Sequence, residues 1–90
     1  MITDVKIRKI FQDHENLEAL ISITIDNKFA IHDIKIIRGE KRRFVAMPSK
    51  KDKNGRFRDI VHPIEISARE EMEKEIMEKY NKAKETLKSE

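Results

Sequence analysis

Arginine and lysine are the residues of this sequence whose number and spacing predict a chemistry, because they are concentrated in one segment. Residues 35–58 carry ten bases against two acids, a net charge of +8, whereas residues 1–34 and 65–90 are each at −2. Clustered cations attract phosphate-rich polymers through Coulomb attraction and release of condensed counterions. Two runs supply the candidate binding residues: Arg38, Lys41, Arg42 and Arg43, and then Lys50, Lys51, Lys53, Arg56 and Arg58.

The charge alone does not decide between a nucleic-acid surface and a solvated loop, since basic stretches are common as plain loops. Two phenylalanines bear on this question, because Phe44 and Phe57 flank the basic runs. An exposed aromatic side chain there could stack on an unpaired base. With aromatic residues at only 6% of the chain, the sequence favours the other interpretation, in which both rings belong to the core.

The three histidines have no spacing typical of a metal or catalytic site. His14, His32 and His62 are too far apart in sequence to suggest a ligand pattern such as two histidines one helical turn apart. His32 and Asp33 are adjacent in a predicted strand, so their side chains should point to opposite faces and form no dyad. We interpret His32 as packed in the sheet and His62 as ordering the turn before Pro63, and expect no metal site.

Composition excludes several classes of protein. Ninety residues and 10.7 kDa predict one domain, residues 1–90. The chain has no cysteine for disulfides or thiolate zinc, no apolar run near the ~20 residues of a membrane span and no secretory signal, so we expect a cytoplasmic protein. With only two glycines it has no glycine-rich phosphate cradle. We therefore expect no enzyme and no cofactor.

The elements that must position these residues are predicted from the period of the apolar side chains. Residues 17–25 alternate, with Leu17 and the odd-numbered positions on one face and Glu18, Ser22 and Thr24 on the other, which predicts a half-buried strand. Residues 2–11 and 29–37 show the same pattern. The pair Asp26-Asn27 between two strands predicts a tight hairpin.

The basic runs fall between shorter elements. Residues 38–41 predict a turn, 44–47 a strand that ends at Pro48, 48–56 a loop or hairpin tip around Gly55, and 57–61 a last short strand. If 44–47 and 57–61 are neighbours in one sheet, the two basic runs project from opposite ends of the short strand 44–47, and one bound polymer could touch both.

The last third changes to a helical period. Ser67 and Glu70 fit a capping box, and apolar side chains then recur every three or four residues: Met72, Ile76, Tyr80, Ala83 and Leu87. This stripe could cover one face of the sheet, contact a second subunit, or both. Because the helix is net acidic and the basic segment is rich in loops, we do not expect a membrane-surface protein.

Three blocks of sequence resemble a known family. The opening ITDVKIRKI, the run IHDIKIIRG and the segment FVAMPSKKDKNGRFRDIVHPI are similar to the stage V sporulation protein G family (SpoVG, also called septation protein). The similarity covers about residues 1–70 and is most specific over residues 31–64. Members are small bacterial regulators of cell division, sporulation, capsule or virulence genes, associated with dimers and with direct binding to DNA and RNA.

The resemblance implies that Lys50, Lys51, Arg56 and Arg58 of the second basic run, and Arg69 near the helix start, contact nucleic acid. The sequence departs from the family in two places. Residues 40–43 are more basic than the small or glycine-containing turn usual in the family, and residues 70–90 match no family sequence known to us. The nucleic-acid sequence that is recognised could therefore differ.

From these observations we predict an α+β domain: an antiparallel sheet of about five strands, formed by hairpins within residues 1–64, followed by a C-terminal amphipathic helix over 65–88. A thin core in a small domain often depends on a partner subunit, so we expect a homodimer. The predicted function is a bacterial nucleic-acid-binding regulator, of DNA and possibly RNA, affecting septation, sporulation or gene expression. The alternative is a protein-interaction module whose basic face docks an acidic partner.

Overall fold

The computed structural model describes residues 1–12 and 15–89, with side chains up to residue 86. Over this part of the chain the elements in order are β1 (Ile2–Ile10), β2 (Leu17–Ile25), β3 (Phe29–Arg38), β4 (Arg43–Ala46), β5 (Ser49–Lys51), β6 (Phe57–Asp59) and α1 (Ile66–Ser89). The predicted α+β class, an antiparallel sheet followed by one C-terminal helix, is confirmed. His14 lies outside the described residues.

The strands divide into a main sheet and a separate ribbon. Strands β1 to β4 form an antiparallel sheet in sequence order, and β5 pairs only with β6. The condition that residues 44–47 and 57–61 are neighbours is therefore wrong, because Phe57 pairs with Lys51 and Asp59 with Ser49. Closing a hairpin over a few residues costs less chain entropy than returning a strand to the edge of the main sheet.

The predicted hairpin between β2 and β3 is confirmed. Asp26 and Asn27 both have left-handed φ angles, 51° and 55°, which short polar side chains tolerate. The Lys28 amide donates to the Ile25 carbonyl at 2.9 Å and closes the turn. Because β2 and β3 leave this turn in fixed register, the ladder places residues 38–43 at the far end of β3.

The core lies between one face of the sheet and α1. Ile21, Ile34, Ile36 and Ile76 are fully buried, and Tyr80 is 1% exposed. The same core holds Val5, Ala19, Ile23, Val45, Met47 and Met72. Burying one such aliphatic side chain stabilises a fold by about 1.5–3 kcal/mol. The apolar stripe of the helix therefore covers the sheet, although the side chain of Leu87 lies outside the described residues.

The start of the helix differs from the predicted capping box. The helix begins at Ile66, and the Arg69 amide donates to the Glu65 carbonyl at 3.1 Å. Ser67 therefore lies inside the first turn and cannot act as the N-cap residue. The N-cap position is Glu65, the residue directly before the helix.

One residue of β2 contradicts the simple alternation. Glu18 was expected on the polar face with Ser22 and Thr24, but its side chain is 3% exposed and bonds to α1. The ladder shifts register between Leu17 and Ala19, so Glu18 has no partner of its own in β3. A β-bulge of this kind re-aims a side chain, and here it turns a carboxylate toward the helix.

Several large apolar side chains remain outside this core. Phe29 is 70% exposed in β3, and three isoleucines near the helix start are 68–87% exposed: Ile60, Ile64 and Ile66. Among the described residues, no helix is both long and apolar enough to cross a bilayer.

Candidate nucleic-acid interface

The first basic run forms a tight connection between β3 and β4, which we call the basic turn (residues 38–43). Arg38 and Arg43 are opposite each other in the ladder, and the Gly39 amide donates to the Arg42 carbonyl at 3.0 Å. A Cβ at position 39 would lie 2.9 Å from that carbonyl oxygen, which explains why glycine stands here. The turn therefore holds its four cations on a short, closed loop.

Two cations of the basic turn are paired with the buried Glu18. The Arg43 Nε donates to Glu18 Oε2 at 2.6 Å, and the Arg38 Nε lies 3.6 Å from the same oxygen. On the other side of the carboxylate, the Tyr80 hydroxyl donates to Oε1 at 2.9 Å, and Lys84 Nζ is 3.8 Å away. We call Glu18, Arg38, Arg43, Tyr80 and Lys84 the Glu18 cluster; it fastens the basic turn to the helix.

The surroundings of this carboxylate determine its ionisation. Burial by itself would raise the pKa of Glu18, but hydrogen bonds from Arg43 and Tyr80 and the charges of Arg43 and Arg38 outweigh burial and hold that pKa below its usual value. Burial, together with the hydrogen bond to Glu18, raises the pKa of Tyr80 to about 12. The carboxylate is therefore charged and the phenol is protonated at neutral pH, as the hydrogen bond between them requires.

The second basic run forms the hairpin of β5 and β6, which we call the basic ribbon (residues 49–59). Asp52 organises its tip: Oδ1 accepts from the Asn54 amide at 2.8 Å and the Arg56 amide at 3.0 Å. Gly55 has a φ of 79°, a left-handed angle that glycine adopts without strain. Arg58 Nε donates to Asp52 Oδ2 at 3.0 Å. The ribbon is therefore a defined hairpin, which is one of the two alternatives, loop or hairpin tip, that the sequence left open.

The ribbon presents most of its cations to solvent. Lys50 and Arg58 face each other across the ladder, as do Lys51 and Phe57. The ribbon contains five bases and two acids, a net charge of +3, and Arg58 makes an ion pair with Asp52. In the described part of the chain, no carboxylate lies within ion-pair distance of the other candidate cations: Lys41, Arg42, Lys50, Lys51, Lys53, Arg56 and Arg69.

The expectation that both flanking phenylalanines are core residues is wrong. Phe57 is 72% exposed and Phe44 is 43% exposed. Phe44 lies on the sheet face away from α1. Its ring is next to Gly39 of the basic turn, and a Cβ atom on residue 39 would lie 3.3 Å from that ring. Phe57 lies in a ribbon only two strands wide and is neither in the core cluster nor among the side chains packed against it. Exposure therefore makes base stacking available, above all at Phe57.

The basic turn and the basic ribbon lie at opposite ends of β4, although the condition attached to that prediction, pairing of residues 44–47 with 57–61, is wrong. Four residues of extended chain span about 13 Å, so the two surfaces are close enough for one polymer to touch both. Arg69 is exposed on the first turn of α1. Met77, eight residues later in the same helix, lines the shallow depression beside the basic turn. Arg69 therefore lies about 12 Å along the helix from this depression.

The histidines behave differently from one another. His62 Nδ1 lies 3.1 Å from the Pro63 carbonyl, as expected for a residue that orders this turn. His32 is exposed instead of packed, and its Nδ1 is 2.8 Å from the buried Ser22 hydroxyl. The reason is a second bulge, in which Asp33 has a φ of 63° and the ladder skips from Ile34 to Ile31. Among the described residues, no three His, Cys, Asp or Glu side chains converge as metal ligands would.

The sequence-based interpretation missed the Glu18 cluster. The apolar period puts Tyr80 in the helix stripe and Glu18 on the polar face of β2, and it predicts no role for Lys84. A lone acid in an alternating strand carries no signal of burial, because the bulge that re-aims it depends on the register of β2 against β3.

Comparison with known proteins gives consistent matches over most of the chain. The family model described as SpoVG matches residues 1–82, so the expectation that the helix from residue 70 onward departs from the family is wrong for residues 70–82. Proteins named "Putative septation protein SpoVG" are similar over most of the chain. The one from Caldanaerobacter subterraneus subsp. tengcongensis is 49% identical over 93% of this chain and 91% of its own length. Those from Lachnospira eligens and Agathobacter rectalis are 50% and 51% identical, over 91% and 88% of this chain and 92% and 90% of theirs.

Proposed function

The chain belongs to the SpoVG family, and we propose that it is a non-enzymatic, cytoplasmic regulator of septation or sporulation that binds DNA, RNA or both. The role in septation follows the names of its relatives. The binding function is supported above all by one observation. Four ribbon cations are exposed on a defined hairpin, and no carboxylate among the described residues pairs with them: Lys50, Lys51, Lys53 and Arg56.

The geometry supports phosphate contacts as the main source of affinity. Each lysine offers a point charge, and Arg56 offers a planar fork that matches two phosphate oxygens. Lys41 and Arg42 of the basic turn extend the surface along β4. Arg38 and Arg43 keep the turn in place through Glu18, so they contribute to the shape of the surface more than to its unpaired charge.

Phosphate contacts position a protein on nucleic acid without reading its sequence. Sequence preference must then come from a different residue, and we assign it to Arg69. This arginine is exposed at the start of α1, where a guanidinium can make two hydrogen bonds to a guanine edge. The remaining cations should therefore affect binding to all sequences alike.

Ionic strength provides the direct test of this proposal. If four to six phosphates are neutralised, log affinity for duplex DNA should fall with log salt at a slope of about −4 to −5. Fluorescence anisotropy with a labelled duplex at several salt concentrations measures this slope. A slope near zero would rule out the electrostatic account.

The alternative, docking of an acidic protein on the same basic surface, makes a different prediction. The chain has no tryptophan and a single tyrosine, so co-purifying nucleic acid would dominate its ultraviolet spectrum. Such absorbance, removed by nuclease, supports the proposal. A partner protein that remains bound after nuclease treatment and competes with DNA supports the alternative.

We also propose that the protein is a homodimer. Three isoleucines, at positions 60, 64 and 66, are exposed, and Ile64 lines a cleft of about 320 Å³ whose walls are mostly apolar side chains, including Met47, Val61 and Met72. Burial of each isoleucine against a second copy would contribute about 1.5–3 kcal/mol. Light scattering should give twice the 10.7 kDa of one chain, and a monomer mass at micromolar concentration would contradict the dimer.

A further inference from the structure

Phe57 is a large apolar side chain that the described fold does not use. It is 72% exposed and belongs neither to the core cluster nor to the side chains packed against it. Single exposed apolar residues are common on protein surfaces and need no explanation by themselves. What distinguishes Phe57 is the chemistry of its neighbours.

The ribbon holds one cation beside the ring and three others close to it in the sequence or the ladder. Lys51 lies directly across the ladder from Phe57, with its Nζ 5.6 Å from the ring centroid. Arg56 and Arg58 are the adjacent residues in sequence, and Lys50 pairs with Arg58. Because side chains alternate along a strand, Lys51 and Phe57 share one face of the ribbon while Lys50 and Arg58 occupy the other.

This combination fits a nucleotide better than a phosphate or a carboxylate alone. A phosphate group would use the lysines and arginines and leave the ring in water. An unpaired nucleotide uses both, since its base has a flat face for the ring and its phosphates reach the neighbouring cations. In a duplex the base faces are already stacked, so a ring at the surface cannot reach them.

We propose that Phe57 is a stacking platform for an unpaired base, and that the basic ribbon therefore prefers single-stranded DNA or RNA over duplex. This inference rests on the proposed nucleic-acid binding and narrows its substrate class. Stacking on an aromatic side chain contributes about 1–3 kcal/mol per base and tolerates any base. Removing the ring should therefore weaken single-strand binding about five- to 150-fold.

The experiment compares Phe57→Ala with a matched control, Phe29→Ala. Phe29 is 70% exposed, nearly as much as Phe57, but it belongs to β3 and not to the basic ribbon. The probes are labelled oligothymidylate, oligouridylate and a mixed-sequence duplex of the same length, measured by anisotropy at fixed salt. Light scattering of each variant reports its subunit state.

The expected result is that the wild type binds the single strands more tightly than the duplex. Phe57→Ala loses that preference and changes duplex affinity less than about twofold, Phe57→Trp restores it, and Phe29→Ala changes nothing. A stronger effect on oligothymidylate or on oligouridylate identifies DNA or RNA as the better source of the base.

Other outcomes overturn the inference and separate it from the proposed function. If Phe57→Ala leaves single-strand affinity unchanged, or weakens single strands and duplex equally, the ring is not a stacking platform while nucleic-acid binding stands. A change in subunit state with Phe57→Ala would assign the ring to a subunit contact instead. If the wild type binds none of the three probes, both the inference and the proposed function fail.

Discussion

The basic turn and the basic ribbon carry the same net charge, but the fold uses them differently. Each sums to +3 in the sequence, and each contains an arginine bonded through Nε to a carboxylate. In the turn, Arg43 lies 2.6 Å from Glu18, whose side chain is 3% exposed. In the ribbon, Arg58 lies 3.0 Å from Asp52, whose side chain is 22% exposed.

The two pairs have different roles: the buried pair stabilises the fold, whereas the exposed pair is available to a ligand. A buried carboxylate must keep its cations, because an unpaired charge in the core costs several kcal/mol. An exposed pair contributes little and can exchange its partner for a phosphate. Equal charge in the sequence therefore does not mean equal availability to a ligand. The comparison can be tested with variants of the Glu18 cluster and with variants of the ribbon.

The largest effect is expected from Glu18→Gln, which removes the charge at the centre of the Glu18 cluster while preserving size. We expect the free energy of unfolding to fall by up to about 3 kcal/mol, because the buried side chain loses its charged hydrogen bond with Arg43. Urea denaturation followed by circular dichroism measures this change. The affinity of the folded variant for nucleic acid should change little, because the ribbon is untouched.

The control for this variant is Glu71→Gln, which removes the same charge from an exposed position of α1. Surface substitutions of this kind usually stay within about 0.5 kcal/mol of the wild type. If Glu18→Gln is no less stable than Glu71→Gln, the Glu18 cluster does not hold the basic turn in the way described.

The second prediction concerns the ribbon, where we expect a large loss of affinity for nucleic acid and almost no loss of stability. The triple substitution Lys50→Ala, Lys51→Ala and Arg56→Ala should weaken DNA binding about 100-fold at moderate salt and flatten the salt slope by about three. The free energy of unfolding should stay within about 0.5 kcal/mol of the wild type, since all three side chains are exposed.

A charge-matched control for the ribbon is available on the helix. Lys74→Ala, Lys79→Ala and Lys82→Ala also remove three exposed cations but leave both basic surfaces intact. Equal losses of affinity in the two triple variants would mean that only net charge matters, and would remove the ribbon as a defined site.

The third prediction is that the stabilisation provided by Glu18, which holds the basic turn, depends on pH. The pKa of Glu18 in the folded protein lies below its ordinary value of 4.5, so the unfolded chain takes up a proton first as the pH falls. The contribution of Glu18 to stability is therefore complete above about pH 4.5 and is lost as the pH falls through its folded pKa.

This pH dependence is isolated by comparing the wild type with Glu18→Gln. The pKa of Asp52 is also lowered, chiefly by its hydrogen bond from Arg58, but both proteins share that residue. The difference between their unfolding free energies should therefore be largest at neutral pH and shrink in acid. A difference that stays constant with pH would mean that the ionised carboxylate is not the source of the stability.

The smallest effect is expected from Asp52→Asn in the ribbon. The remaining side-chain oxygen can still accept from the Asn54 and Arg56 amides, while Arg58 loses its ionic partner and the ribbon charge rises to +4. We expect affinity for nucleic acid to increase a few-fold at low salt, measured by anisotropy. Weaker binding instead would indicate that Arg58 needs Asp52 to be correctly placed.

Much of the fold could be predicted because its signals are local. The alternation around Ile21 and Ile23, the Asp26-Asn27 turn and the stripe containing Met72 and Ile76 all follow from backbone periods of two and 3.6 residues. The charge of the two basic runs needed only counting. Family membership was indicated by short ordered blocks of sequence and is confirmed by the match over residues 1–82.

The tertiary structure decided which of these residues are available. Tyr80 and Glu18 are 62 residues apart in sequence, and their contact depends on a bulge in β2 and on the rotation of α1 over the sheet. The exposure of Phe57 likewise depends on β6 pairing with β5 instead of β4. Local patterns fix which face a residue prefers, but long-range register fixes what lies against that face. For this reason the sequence determined how much positive charge there is, and only the fold determined which cations and which aromatic ring are exposed to a ligand.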